Sequence, residues 1–316
     1  MTGEEMPRGE GDTAWRKAIP QTRDRLQSRV LVGVVGMLLT GLSAHTAFLA
    51  CTSFVTGLLI ETVVISLGFA LLVRALRAAT TGGAVCGGMI CFLITFWTGA
   101  STESILRNGL TPLILLFVLT FVSTRAGWPT KARTGLAESR RGRSAAQVIA
   151  NLSVAALSVS AQSAIMVQGS LAYCCVSVLN DAWAMKVVRV MCLAALVEAT
   201  ADTVSSEIGQ AFGGDPVLIV GLHRVVPGTD GAVTLLGSGT GLAAGALVAI
   251  AGGWSIHLSV GATLTALGAG ICGLFVDSLM GATVERRGWL GNDLVNFAST
   301  LFAAILAAVV YRFFVL

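Results

Sequence analysis

The chain has 316 residues, 54% of them hydrophobic and only 12% charged, about half the charged share of an ordinary soluble domain. With a mean hydropathy of +0.80, it carries more apolar surface than one or two soluble cores of this length can hide, which excludes a soluble globular or disordered chain. The seven cysteines (Cys51, Cys86, Cys91, Cys174, Cys175, Cys192 and Cys272) are odd in number and never spaced Cys-x-x-Cys, so a secreted disulfide scaffold is excluded too and they read as small buried apolar residues.

Residues 1–29 are polar and mixed in charge, without an apolar core for a cleavable signal, and read as a cytoplasmic tail ahead of a polytopic domain over 30–316. Stretches of about 20 apolar residues, the length that crosses a bilayer, fall near 30–50, 54–73, 82–99, 108–124, 145–166, 184–202, 232–253, 257–279 and 294–314. The expected fold is therefore an all-α bundle of about nine transmembrane helices. An inside N-terminus puts 1–29, 74–81, 125–144, 203–231 and 280–293 in the cytoplasm, and these segments hold 17 of the 21 Lys and Arg residues, as the positive-inside rule favours. The net charge of +4 thus lies in loops, which speaks for topology and not for nucleic acid. Arg107, Lys186, Arg189 and Arg312 fall outside this pattern, near helix ends from which they can snorkel. Residues 145–202 hold either two or three crossings, since 171–179 is also apolar; Asn180, Asp181, Lys186 and Arg189 favour reading 167–183 as an outside loop or re-entrant piece. A homo-oligomer is compatible with such a chain.

Polar residues inside or at the mouth of a span are costly and point to function. At the end of the sixth span, helical spacing puts Glu198, Asp202 and Ser205/Ser206 on one face, with Glu207 joining them if the helix loosens near Gly209. Hard oxygen ligands of this kind suit Mg²⁺ held with a phosphate; the alternative is a solvated helix end. The loop that follows, Arg224-Val-Val-Pro227-Gly228-Thr229-Asp230-Gly231-Ala-Val-Thr234, combines a cation, hydroxyls and glycines before a helix N-terminus, as a phosphate cradle does, although a plain turn explains Pro-Gly and Asp-Gly equally well. His223 stands beside Arg224 as a further phosphate contact. Asp277, Ser278, Gly281 and Thr283 end the eighth span; Asn292, Asp293 and Asn296 open the ninth, where Asp293 serves as a cap or lies behind the site. Arg143, Gln147 and Asn151 share one helix face beyond the basic 125–144 loop, and with Arg140 and Arg141 form a cationic mouth for an anionic lipid head, unless those two arginines only set topology. Gly237, Gly241 and Gly245 read as a helix-packing stripe and not a phosphate loop, because no Lys follows. Glu61, within the second span, is a relay carboxylate or a partner of Arg74 or Arg77, and Glu103 is isolated. Serine hydrolase, zincin and dinucleotide motifs are absent.

Taken in order, Asp202-Thr-Val-Ser-Ser-Glu207-Ile-Gly209, Arg224-Val-Val-Pro-Gly-Thr-Asp-Gly231, Asp277-Ser-Leu-Met-Gly281-Ala-Thr and Asn292-Asp-Leu-Val-Asn296, with Arg143-x-x-x-Gln147-Val-x-Ala-Asn151, resemble the phytyl-phosphate kinase family of membrane proteins, whose uncharacterised members are grouped as domain of unknown function ninety-two. The resemblance runs from about residue 30 to the end. It implies a lipid kinase that moves a phosphate from a nucleoside triphosphate, CTP or ATP, to an isoprenoid monophosphate at the cytoplasmic face of a plasma or organelle membrane. On this likeness Asp202, Glu207 and Asp277 hold Mg²⁺ and are catalytic with Arg224. Arg224, Pro227, Gly228, Thr229, Asp230, Gly231 and Thr234 bind the nucleotide, and Arg143, Gln147, Asn151, Asn292 and Asn296 bind the lipid phosphate. The chain departs from the family pattern at Leu152-Ser153, Ala232 and Thr234, where glycines and a serine are expected, and is longer over 160–183. The competing reading is an ion- or proton-coupled transporter using the same carboxylates.

Overall fold

The computed structural model describes residues 19–53, 55–99, 106–137, 141–163 and 179–315. Residues 1–18, Glu103, Arg140, Cys174, Cys175 and most of the expected outside loop, 167–178, lie outside the described residues. The helices in chain order are α1 (Gln21–Thr52), α2 (Thr56–Ala75), α3 (Thr81–Thr98), α4 (Leu110–Arg125), short α5 (Trp128–Arg133), α6 (Ala145–Ser160), α7 (Leu179–Phe212), α8 (Leu235–Ser255), α9 (Val260–Met280) and α10 (Asn292–Val310). Between α7 and α8 a two-residue antiparallel pair, β1 (Val217–Leu218) and β2 (Ala232–Val233), closes a hairpin with Val217 opposite Val233.

Among the described residues nine helices correspond to the nine expected stretches, but they are not equivalent. Six are long and apolar enough to cross a membrane by themselves: α1, α2, α3, α8, α9 with its following turn, and α10. Helices α4 and α6 have 16 residues each, about 24 Å against a hydrocarbon core of about 30 Å. Helix α6 survives as a short element because most of it is packed inside protein, and α4 because one of its faces packs on α7 and α8 while Ile114, Val118 and Val122 point outward. Helix α7 has 34 residues, about 51 Å, and is the centre of the bundle: Val190, Leu193, Ala194, Ala195, Val197 and Ala201 are fully buried, and α4, α6, α8, α9 and α10 all pack on it. Its interior position lets it carry acids that a lipid-facing helix could not.

Three boundaries differ from expectation. Helix α1 begins at Gln21 behind Pro20, nine residues before the apolar stretch, because Gln27 bonds to the turn ahead of α10 and Ser28 to the first turn of α10: Gln27 Nε2 donates to Trp289 O at 2.9 Å, Gln27 Oε1 accepts from Gly291 N at 2.8 Å, and Ser28 Oγ donates to Asp293 Oδ2 at 2.6 Å. Helix α7 already includes residues 179–183 and runs on to Phe212, ten residues into the expected loop. Val204 and Ala211 stay buried, and nothing before Gly213 breaks the helix. The Gly237, Gly241 and Gly245 stripe explains the close approach of α8 to α7: an added Cβ would meet Ser205 O at 2.5 Å, Ala201 O at 2.5 Å and a Val197 methyl at 3.3 Å. In lipid, where apolar side chains gain little by leaving the bilayer, such backbone proximity is what holds helices together.

The outlying cations lie at the end of the bundle away from the 125–144 loop, and two of them meet aromatic rings: Arg107 over Trp254 and Arg312 over Trp183. Glu61 faces outward near the start of α2, 13 residues or about 20 Å along the helix from Arg74, too far to pair with it.

Candidate functional site

At the end of the bundle that carries the basic loops, α6, α7, α9, α10 and the 216–234 hairpin enclose a polar cavity of about 420 Å³. The start of each helix there is dictated locally. Ser144 caps α6 by accepting from Gln147 N at 3.2 Å, while Gln147 Oε1 accepts from Ser144 N at 2.8 Å, a complete capping box. Thr234 caps α8, accepting from Gly237 N at 3.0 Å. Helix α10 starts after Gly291 with no side-chain cap, so Asp293 is a first-turn acid held by Ser28 and not the cap itself. Gln147, Thr234 and Asn292 all line the cavity, so three helix N-termini, each with a positive partial charge, face one space.

The opposite wall is acidic. Asp202 and Asp277 both line the cavity, two acids brought to one space from separate helices, and like charges gathered there favour a cation. Ser299 Oγ donates to Asp277 Oδ1 at 3.2 Å. The Arg143 guanidinium is close enough to Asp202 to interact electrostatically. Asn296 Nδ2 donates to Asn151 Oδ1 at 3.3 Å, and Asn151 Nδ2 to Gln147 O at 2.8 Å, tying α10 to α6 across the cavity floor. Glu198, one turn below Asp202, does not line the cavity; it is 1% exposed, and its Oε1 has no hydrogen-bond partner among the described residues.

The hairpin loop forms the lid. Pro227, Gly228, Thr229, Asp230 and Gly231 all line the cavity. Thr229 is buried, and its hydroxyl donates to Val226 O at 2.6 Å, so it stiffens the loop. Gly231 has φ +73°, and a Cβ there would meet Ala282 N at 2.2 Å and Ser278 O at 2.5 Å; only glycine lets the loop seat against the end of α9.

Arg224 departs from expectation. It is absent from the cavity wall, its side chain is 80% exposed, and it pairs with Asp215 at 3.0 Å. Its backbone bridge to Val217 places it on the outer strand of the hairpin, turned away from the loop three residues later. His223 is also exposed and outside the cavity.

Glu207 lines the cavity without any loosening of α7, because the cavity is wide enough for both Asp202 and Glu207. Its carboxylate is engaged by Lys131, which sequence reasoning missed. Lys131 is completely buried; its Nζ donates to Glu207 Oε2 at 2.5 Å and to Ser123 O and Thr124 O at 3.2 and 2.8 Å. The ammonium thus satisfies the free carbonyls at the end of α4, where the helix dipole favours a cation. The available signal was Trp128-Pro129 in the basic loop, since proline in a first turn marks a helix start. Glu285, a further cavity residue, was also missed; it stands beside Arg286 and Arg287, whose charges drew the reading to topology.

A profile of the integral membrane family DUF92 matches residues 64–304. The chain belongs to this family. Other relatives extend the comparison. This DUF92 chain is 26% identical over 242 residues to an uncharacterized membrane protein of Methanocaldococcus jannaschii, covering 77% of the chain and 90% of that protein. It is 36% identical over 107 residues to an uncharacterized membrane protein of Synechocystis, 34% of the chain and 42% of the relative. It is 27% identical over 200 residues to the chloroplastic protein VTE6 of Arabidopsis thaliana, 62% of the chain and 56% of the relative. No solved structure matches it.

Proposed function

We propose that the polar cavity transfers the terminal phosphoryl group of a nucleoside triphosphate, CTP or ATP, to an isoprenoid monophosphate at the cytoplasmic face of the membrane. The observation that carries this reading is the gathering, within one cavity, of Asp202 and Asp277 with Arg143 and three helix N-termini. Anions need the second set and a divalent cation needs the first. The motif resemblance to phytyl-phosphate kinases and the likeness to VTE6 support the same reading.

The donor set fits Mg²⁺ of a particular kind. Among the described residues no three His, Cys, Asp or Glu side chains form a self-sufficient metal site, but Mg²⁺ in phosphoryl transfer is commonly held by one or two carboxylates and completed by substrate phosphates and water. Asp202 and Asp277 are the residues that would hold it; Glu207 is committed to Lys131 and positions the α4–α5 turn instead. Bound there, the cation would neutralise charge on the triphosphate. The protein's own part is alignment. The Gly228–Gly231 lid and the α8 N-terminus hold the triphosphate, and Arg143 with the α6 and α10 N-termini hold the acceptor phosphate, offsetting the repulsion of two anions placed in line. An oxygen of the lipid phosphate attacks the γ-phosphorus, the bond to the β–γ bridging oxygen breaks, and the nucleoside diphosphate leaves. The acceptor is already ionised near neutral pH, so no strong base is required.

A coupled transporter would use the same acids, but apart from Glu198 they gather at one end of the bundle and not at mid-membrane. Purified protein with Mg²⁺, γ-labelled CTP or ATP and a prenyl monophosphate should yield labelled lipid diphosphate. Chelation with EDTA should stop the reaction, and Asp202→Asn should reduce it at least about 100-fold. No product across prenyl monophosphates of several lengths, with both nucleotides, would end this reading.

A further inference from the structure

A second cavity, of about 310 Å³, lies between α2, α3, α4 and α6 at the same end of the bundle, and Arg143 is in the wall of both cavities. Its chemistry is the reverse of the first. Phe69, Val73, Leu113, Leu116, Phe117 and Val148 make an apolar chamber, and Arg77, Arg125 and Arg143 are the cations in its wall. We infer that this cavity holds the hydrocarbon chain of a single-chain lipid monophosphate whose phosphate lies at Arg143, on the wall shared with the polar cavity. The inference rests on the proposed function for the fate of that phosphate, but the binding itself does not.

The architecture around Arg143 supports the assignment. Its backbone is gripped by the turn after α2: Arg143 N donates to Ala78 O and Thr80 N donates to Arg143 O, both at 2.9 Å. The preceding Gly142, at φ +80°, leaves no room for a Cβ, which would meet Arg77 O and the backbone of Ala78 and Ala79 at 2.5–2.6 Å. Arg77 itself sits at φ +52°, where the end of a helix ordinarily selects glycine, and it too lines the chamber. Helices α2 and α4 form the outer side of the chamber. They meet through the edge-to-face Phe69 and Phe117 rings, 5.7 Å apart, and again where Arg125 donates to Leu76 O at 3.0 Å. Leu72, Val118 and Val122, on the outer faces of the same two helices, are exposed, so on this proposal the seam between the two contacts is where the distal chain passes into the bilayer while its charged end stays at Arg143. A cavity of about 150 Å³ accommodates a benzene ring, so this one takes roughly twice that, the proximal part of one chain and not two acyl chains.

The test uses the 316-residue protein in nanodiscs and farnesyl monophosphate carrying a diazirine on the isoprene unit nearest its phosphate. Photocrosslinks should map to α2 and α4 around Phe69, Leu113 and Phe117. Gly87 is the site for blocking the chamber, because a Cβ there meets only Phe69 and Val148 carbons at 3.8 and 3.9 Å. Gly87→Leu should weaken farnesyl monophosphate binding at least tenfold, with Gly87→Ala near the unsubstituted value and nucleotide binding unchanged. Crosslinks confined to other helices, or unaltered farnesyl monophosphate affinity in a folded Gly87→Leu protein, would overturn the inference. The crosslink map on the unsubstituted chain decides the matter even if Gly87→Leu does not fold. Crosslinking in the chamber without any phosphoryl transfer would retire the kinase reading and leave the lipid site standing, whereas transfer with crosslinks elsewhere would do the opposite.

Discussion

Lys131 offers the sharpest test of how the site is built. Replacing it with methionine keeps most of the buried volume but removes the charge and three donated hydrogen bonds, two to the end of α4 and one to Glu207. Breaking one side of a buried ion pair costs about 3–5 kcal/mol. Glu207 is 15% exposed and borders the polar cavity, so water can reach the abandoned carboxylate and the low end applies, about 3 kcal/mol or roughly a hundredfold in the folding equilibrium. Glu207→Gln leaves an oxygen for the ammonium and should cost less. The double variant should then fall short of the sum of the two by about 1 kcal/mol or more. Reversible unfolding of the protein in mixed micelles, followed by circular dichroism, measures all four corners of this cycle. A loss under about 1 kcal/mol for Lys131→Met, or additive effects of the two substitutions, would refute the claim that this pair holds α5 and the end of α4 against α7.

Two more outcomes follow from the geometry of the hairpin. Arg224→Ala should leave both phosphoryl transfer and stability within about 1 kcal/mol of the parent, since it breaks only an exposed pair; a loss of activity above tenfold would return Arg224 to the site. Gly231→Ala forces a left-handed residue with a side chain into backbone of α9 and should cost at least about 2 kcal/mol and abolish nucleotide binding. Gly214→Ala, also at positive φ but with nothing within 4 Å, should lose only about 1 kcal/mol; equal effects of the two substitutions in thermal unfolding and nucleotide titration would show that the packing against α9 is immaterial.

Much of this site is legible along the chain because membrane sequences advertise their exceptions. A carboxylate such as Asp202 or Asp277 stands out in an apolar run, since placing it there is expensive. Four-residue spacing put Arg143, Gln147 and Asn151 on one helix face, and Thr234 and Asn296 stood in the polar motifs that flank two further helix starts; all five line one cavity with the acids. Loop residues are a different matter. Arg224 and Thr229 lie five positions apart in one polar segment, yet the bridge to Val217 turns one outward while the other is buried.

From composition and charge order alone came the membrane class, the helical repertoire and the end of the bundle where the polar motifs collect, because burial of charge in lipid and the distribution of basic loops are local constraints on each segment. Which motif residues meet, and which face away, was decided only by packing. The 34-residue α7 at the bundle centre, the burial of Lys131 under Glu207 and the arginine shared by a polar and an apolar chamber arise from contacts between segments tens to hundreds of residues apart, whose energies no single stretch of chain contains.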